Sequence, residues 1–445
     1  MGFWKNLTSA KSAGGPRHGR KADKILAIAR SNYVASPSSG DSLPSFGIRW
    51  GQLRDELKAT ISNFGSSAEA IKFAQMRAIF DHREPVTAAD IPKIETAQHF
   101  LKYEYPEFAE KILLFKETRA TSPGTAIELP SPLGGNIFVS NILYWHAFHI
   151  LSSLRFKGDI DSVCEVGGGY GNPALQWLTN PVKPVGRYCI VDMPEVLFFA
   201  EVFLRTALPK VKLHYATEHK HASTSPGVTL VPIQLSSQTK NVPFDIVVNT
   251  GSLAEMTDDW VNYWCNWLDE QNTKLFYSHN YMGNPAEKVY EAPTTLAPIV
   301  LPNWRPVYVR PMHPMMYLHS AERLASEIIF ERSANNGSQD VADALRFFQG
   351  TRLRLENYVY ILYALLRNID ENSNYIVEFA HKVTYDFGYA PVELLYLLNK
   401  GDKNNKDLIA LRDDLQRRVD SKYAEIQPYI KASILGEQGF QRART

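Results

Sequence analysis

Nine consecutive residues, Cys164 to Asn172, read C-E-V-G-G-G-Y-G-N and hold the most chemically pointed pattern in the chain. An apolar run ending in Val166 is followed by Gly167, Gly168, Gly169 and Gly171 and then by a helix-forming stretch. That order lets a cofactor approach bare backbone amides at a helix N-terminus. The dinucleotide fingerprint G-x-G-x-x-G requires glycine at its sixth position. Counted from Gly167, that position is Asn172, and the glycines follow G-x-G-x-G instead. Such a spacing does not suit a pyrophosphate. Glu165, two residues ahead of the loop, is badly placed for a polyanion and well placed for a cofactor carrying an ammonium and a sulfonium. Asp192 closes the next apolar run about 20 residues later, where an acidic side chain accepts hydrogen bonds from both ribose hydroxyls. Asp192 by itself fits any nucleotide-type cofactor.

Further along, V-D-M-P-E at Val191–Glu195, N-T-G-S-L-A-E-M at Asn249–Met256 and Y-S-H-N-Y at Tyr277–Tyr281 recur in the order in which strand ends would present them. Together with E-V-G-G-G-Y-G at Glu165–Gly171, these segments resemble the sugar O-methyltransferases of bacterial surface-polysaccharide synthesis, over about 120 residues of the chain. The resemblance implies a class I methyltransferase fold, a Rossmann-like α/β sheet, with S-adenosylmethionine as cofactor. It assigns cofactor contacts to Glu165, Gly167, Gly168, Gly169, Tyr170, Gly171, Asn172, Asp192, Met193, Asn249, Thr250, Gly251 and Ser252. The implied acceptor is a sugar or glycan hydroxyl.

Methyl transfer to a hydroxyl is an in-line displacement in which the protein aligns the acceptor oxygen and removes its proton. A base must lie beyond the carboxyl ends of the strands. His279 is the first candidate, because an imidazole of ordinary pKa near 6.5 is largely neutral at cytosolic pH. Glu255 is the second and competes with a role as a helix cap. His313, in the irregular R-P-M-H-P-M-M, is the third. Asn280 is suited to orienting an acceptor hydroxyl, while Tyr281 and Trp304 offer flat faces for stacking on a sugar. No metal site is expected: His214, His219 and His221 lack the cysteines or acidic triad that would complete one, and read as solvated loop residues. Two other classes compete with the transferase: an NAD(P)-dependent oxidoreductase on the same kind of sheet, and a non-catalytic S-adenosylmethionine-binding scaffold.

The elements that must position these residues follow from periodicity. Strands are expected at Ser162–Val166, Tyr188–Val191, Val211–Tyr215, Phe244–Asn249 and Lys274–Ser278, with helices at Pro173–Leu178, Glu195–Ala207 and Asp258–Gln271 between them. Thr257 is the expected N-cap of the last helix. Pro306–Val309 and Glu327–Glu331 are expected to close the sheet as an antiparallel pair. The methyltransferase unit thus spans residues 157–332. Before it, residues 1–20 read as a flexible tail and 21–156 as a helical region. Trp50, Leu53, Leu57 and Ile61 recur there at helical spacing, and a Pro- and Gly-rich loop at 121–136 has the character of a lid. After it, 333–445 returns to helix, with an amphipathic run at Val341–Arg367 and a charged helix at Asp407–Gln427.

Bulk properties agree with a folded, multi-module enzyme. The 445 residues are 44% hydrophobic and 21% charged, and the formal net charge of +1 removes any global electrostatic case for nucleic-acid binding. No apolar run of about 18 residues is present for a bilayer span. Cys164, Cys189 and Cys265 are too widely spaced for a metal knot and read as reduced thiols of a cytoplasmic protein. The helical flanks leave room for polysaccharide-assembly partners or a homo-oligomer.

Overall fold

The computed structural model describes residues 23–37, 43–46, 48–76, 160–180, 184–219, 222–253, 256–282, 301, 303–311, 324–332, 358, 361–362, 365, 373–387, 398–399 and 406–417. The tail at 1–20, the loop at 121–136 and most of the helical flanks lie outside these residues. Three helices come first, α1 (Lys24–Val34), α2 (Ile48–Ile61) and α3 (Ser67–Met76). The sheet region then runs β1 (Ser162–Val166), α4 (Asn172–Leu178), β2 (Arg187–Asp192), α5 (Pro194–Ala207), β3 (Leu213–Tyr215), β4 (Gly227–Pro232), a 3-10 turn (Ile233–Asn241) and β5 (Ile246–Thr250). It continues through α6 (Asp258–Glu270), β6 (Leu275–Met282), β7 (Trp304–Pro311) and β8 (Leu324–Arg332), and α7 (Ser373–Phe387) follows.

The strands form one eight-stranded sheet in the order β3-β4-β2-β1-β5-β6-β8-β7. From β3 to β6 every pairing is parallel, and β8 pairs antiparallel with both β6 and β7. The chain leaves β1 toward β2 and returns to its other side with β5, so the carboxyl ends of β1 and β5 flank the point where the winding reverses. Open α/β sheets bind ligands outside such a point. The Rossmann-like α/β class expected from the sequence is what the structure has, including the antiparallel closing pair.

One strand was not expected. Gly227–Pro232 is buried along its whole length and lies between β3 and β2, so Val211–Tyr215 supplies only an edge strand. Its run G-V-T-L-V-P has no alternation, as suits a strand covered on both faces, and its closing proline looks like a breaker. Pro232 is tolerated because it is the last residue of β4, where the ladder ends. In β7 the prolines are tolerated for a different reason: β7 is an edge strand and carries an irregularity between Pro306 and Tyr308.

Both faces of the sheet are buried. Cys164, Val166, Cys189, Val191 and Val247 join one core with α6 and residues of the C-terminal helices, including Tyr358, Ile361 and Phe379. Val163, Tyr188, Ile190, Ile246 and Val248 join a second core with α1 to α5. Helix α5 carries Phe198, Phe199 and Phe203 inside that second core, where Phe73 stacks on Phe199 at 5.5 Å. Its sequence is apolar nearly all round, which a surface helix could not sustain. Helices α1, α2 and α3 cover its outer side, and their polar groups meet its two buried acids. Arg54 pairs with Glu195 at 3.2 Å, while Asn32 and Arg205 bind the same oxygen of Glu201. Buried carboxylates need such partners, since each would otherwise be strongly destabilising.

Thr257 occupies the N-cap position of α6 as expected, but its side chain makes no capping hydrogen bond. All three cysteines are buried free thiols. Among the described residues no helix is long and apolar enough to cross a membrane.

Candidate active site

The glycine loop turns because its glycines adopt backbone that other residues avoid. Gly167, Gly169 and Gly171 have φ of 75°, 56° and 91°. The Gly167 N–H donates to Val191 O at 3.0 Å, which ties the loop to the end of β2, and Gly171 N–H donates to Gly168 O at 3.0 Å to close the turn before α4. At Gly167 a Cβ would fall on Ser252 Oγ. Gly167→Ala combines that collision with a left-handed φ, and we expect a loss of about 1–3 kcal/mol in stability. Denaturant unfolding tests this, and an unchanged midpoint would show that Ser252 can yield.

Beneath the loop lies Glu165, which is 1% exposed. A Cβ on Gly168 would stand 2.7 Å from Glu165 Oε2 and 2.8 Å from Ile190 Cγ2, so the carboxylate sits directly under the bare backbone. Tyr188 Oη donates to Glu165 Oε2 at 2.9 Å. Burial pushes the Glu165 pKa up to about 8; the Tyr188 hydrogen bond opposes that shift, and the Asp192 charge adds to it. Without a cation beside it, this side chain is largely protonated at neutral pH.

Asp192 closes β2 and joins it to the same loop. Its Oδ2 accepts from Gly169 N–H at 3.1 Å and its Oδ1 from Met193 N–H at 2.7 Å. Burial raises its pKa to about 7 against the two N–H groups that favour the charged form. Met193 is the N-cap of α5 and is buried.

Asn249 is the hub on the other side of β1. Its Nδ2 donates to Val166 O at 2.8 Å and to Ser252 Oγ at 2.5 Å, and its Oδ1 accepts from Leu253 N–H and from Asn280 Nδ2 at 3.0 Å. Asn280 Nδ2 also meets Ser278 Oγ at 2.8 Å. These contacts fasten the ends of β1, β5 and β6 to one another. Gly251, with φ of 80°, donates its N–H to His279 O at 2.7 Å and leaves open space where a Cβ would stand. His279 is 5% exposed, with Thr250 opposite it on β5 and Glu327 opposite it on β8.

The structure therefore gathers Glu165, Gly167–Gly171, Asp192, Met193, Asn249, Thr250, Gly251 and Ser252 around the carboxyl ends of β1, β2 and β5, and sets His279 and Asn280 beside the end of β5 but inside β6, which pairs with β8 as far as Met282 and so outruns the end expected at Ser278. One expectation is corrected. Trp304 is fully buried at the start of β7, opposite Arg332, which places it at the other end of the sheet. Its Nε1 donates to Asp269 at 2.7 Å and the Arg332 guanidinium lies 4.8 Å from its ring, so it is a packing residue and offers no face to a sugar. Tyr170 is 1% exposed and packs edge-on against Phe203 at 4.9 Å, so its side chain anchors the loop to α5 from below. Asn172, also buried, begins α4 and accepts from Gln176 Nε2 at 3.2 Å. Tyr281 stands on β6 opposite Ala325. Glu255 and His313, along with the Tyr281 side chain, lie outside the described residues.

Three residues of the region escaped the sequence reading. Tyr188 and Glu327 carry a legible signal, since a polar side chain inside a strand buried on both faces needs a partner. Gln234 has none in sequence. It follows the end of β4, next to the Asp192 end of β2, and its Oε1 is buried with no hydrogen-bond partner among the described residues.

Solved structures with this kind of sheet resemble the chain at low identity. Coclaurine N-methyltransferase bound to N-methylheliamine and SAH is 12% identical over 64% of this chain and 100% of that one, with a TM-score of 0.30. M. capricolum TrmK in complex with S-adenosyl-homocysteine is 9% identical over 62% of this chain and 96% of that one, with a TM-score of 0.28. An rRNA methylase from Escherichia coli is 9% identical over 68% of this chain and 100% of that one, with a TM-score of 0.27. No family model and no curated protein matches the sequence.

Proposed function

We propose that the chain is an S-adenosylmethionine-dependent methyltransferase acting on a sugar hydroxyl. The observation that carries this reading is the buried Glu165 carboxylate directly under Gly168, in a loop whose G-x-G-x-G spacing lacks the dinucleotide glycine. A pyrophosphate would meet an acid there, whereas an ammonium or sulfonium gains from it. The donor set fits the rest of the cofactor. Asp192 stands at the end of β2 for a ribose, and the unpartnered Gln234 Oε1 supplies an acceptor for an exocyclic amine. The sugar assignment rests on the sequence motifs and their resemblance.

Bound there, S-adenosylmethionine supplies an electrophilic methyl group on a sulfonium. Glu165, Asp192 and the glycine loop would hold it, and the methyl would pass to the acceptor oxygen with sulfur as the leaving group. His279 takes the hydroxyl proton and later releases it to solvent. The hydrogen-bonded ends of β1, β5 and β6 hold the base at a fixed distance from the loop, and such alignment lowers the barrier by several kcal/mol. Assaying transfer of isotopically labelled methyl from S-adenosylmethionine to a panel of sugars and glycans tests the assignment. Label appearing as an acid-stable methyl ether on a sugar is the expected result; label on nitrogen, or on RNA alone, would overturn the acceptor class.

A further inference from the structure

The antiparallel register of β6 and β8 places Glu327 directly across from His279. Along these strands, Tyr277 and Ile329 belong to the core shared with Val248, so His279 and Glu327, two positions on, face the same way. Directly opposed residues hold their Cβ atoms about 4.5–5.5 Å apart, within reach of an imidazole–carboxylate hydrogen bond. Both are buried, at 5% and 2% exposure. Glu327 Oε1 accepts from Tyr277 Oη at 2.6 Å, and burial, with the neighbouring carboxylate adding to it, raises the Tyr277 pKa well above its ordinary value. That phenol therefore stays a donor to Glu327.

We propose that Glu327 is a positioning residue for His279, fixing the ring's orientation and stabilising the imidazolium formed when the ring takes the acceptor's proton. This rests on the reading of His279 as the base. A carboxylate beside an imidazole selects one tautomer and lowers the free energy of the protonated ring, as carboxylates do beside catalytic histidines elsewhere. Tyr308 of β7 acts on Tyr277 in the same cluster. Thr250 faces the His279 ring from β5 without a charge, Tyr277 shares its strand, Glu165 lies beyond β5 on β1, and Arg310 stands opposite Glu327 on β7.

The test is the His279 pKa, read by NMR on histidine-labelled protein and assigned with His279→Gln. Glu327→Gln should lower that pKa by about one unit or more, in line with the usual effect of a nearby carboxylate. The acid limb of the kcat profile should move to lower pH with it, because His279 acts unprotonated. We expect kcat to fall at least tenfold while the Kd for adenosylhomocysteine changes less than twofold. Tyr277→Phe removes the competing donor, keeps the fold's volume, and should raise the His279 pKa. An unmoved His279 pKa in both variants would overturn the pairing. If instead the pKa moves but His279→Ala turns over normally, the pairing stands and the base assignment fails.

Discussion

His279→Ala is expected to lower kcat by about 10²–10⁴-fold while leaving adenosylhomocysteine binding intact. The range is that of a positioned base, and the geometry supplies the position. His279 sits on β6 one strand from Gly251, whose N–H binds its carbonyl at 2.7 Å. Its backbone is thereby fixed to the loop that follows β5. The end of β1 and the cofactor loop after it are held by the Asn249, Ser252 and Asp192 side chains. Truncating the imidazole should remove proton transfer and spare the pocket. Steady-state kinetics and calorimetry on the same preparation separate the two effects. A kcat within threefold of the parent would show that another group removes the proton.

The second large effect has opposite signs in two measurements. Glu165→Gln should weaken adenosylhomocysteine binding by at least tenfold at pH 8 and should stabilise the ligand-free protein at that pH. The stability sign follows from the pKa, which burial raises from 4.5 to about 8. Between those values the native state holds a proton that the unfolded chain has lost, so unfolding releases it and stability falls as pH rises through the window. Glutamine carries no such dependence. It keeps an acceptor for Tyr188 Oη, so the variant gains on the parent as pH climbs from 5 to 8, read as Tm. Binding runs the other way. An ammonium beside Glu165 favours the carboxylate, so ligand binding releases the proton, and affinity for the parent rises with pH up to about 8. A parent protein whose affinity is flat between pH 6 and 8 would show that Glu165 does not meet the cofactor's charge.

Much of the fold was legible because its signals are local. Ser162–Val166 is an unbroken buried run cut off by glycine, and strand and loop fall where the sequence puts them. Strand β4 was not legible, since a run bounded by Gly227 and Pro232 reads as a loop until its neighbours β2 and β3 are known. The buried acids of α5 present the same difficulty. Glu195 and Glu201 look like a solvated stripe, and only the packing of α1 to α3, more than a hundred residues earlier, supplies Arg54 and Asn32 to meet them. Around the candidate site, Glu165, the glycines, Asp192 and His279 were legible from chain order, because each stands at or next to the end of an apolar run. Glu327 and Gln234 come near these residues only through strand register and a long crossover, which chain order does not reveal. Trp304 was misread because an aromatic residue near a strand edge looks the same in sequence at either end of a sheet. Its burial against Asp269 and Arg332 depends on the antiparallel turn-back of β7 and β8.

The central claim is that this loop holds an adenosyl sulfonium cofactor and not a dinucleotide. Isothermal titration of the full chain with adenosylhomocysteine, with NAD(H) and NADP(H) as parallel titrants, tests it most directly. Saturable binding of one adenosylhomocysteine per chain is expected, weakened at least tenfold by Glu165→Gln, with no heat from the dinucleotides. Saturable dinucleotide binding with no response to adenosylhomocysteine would contradict it.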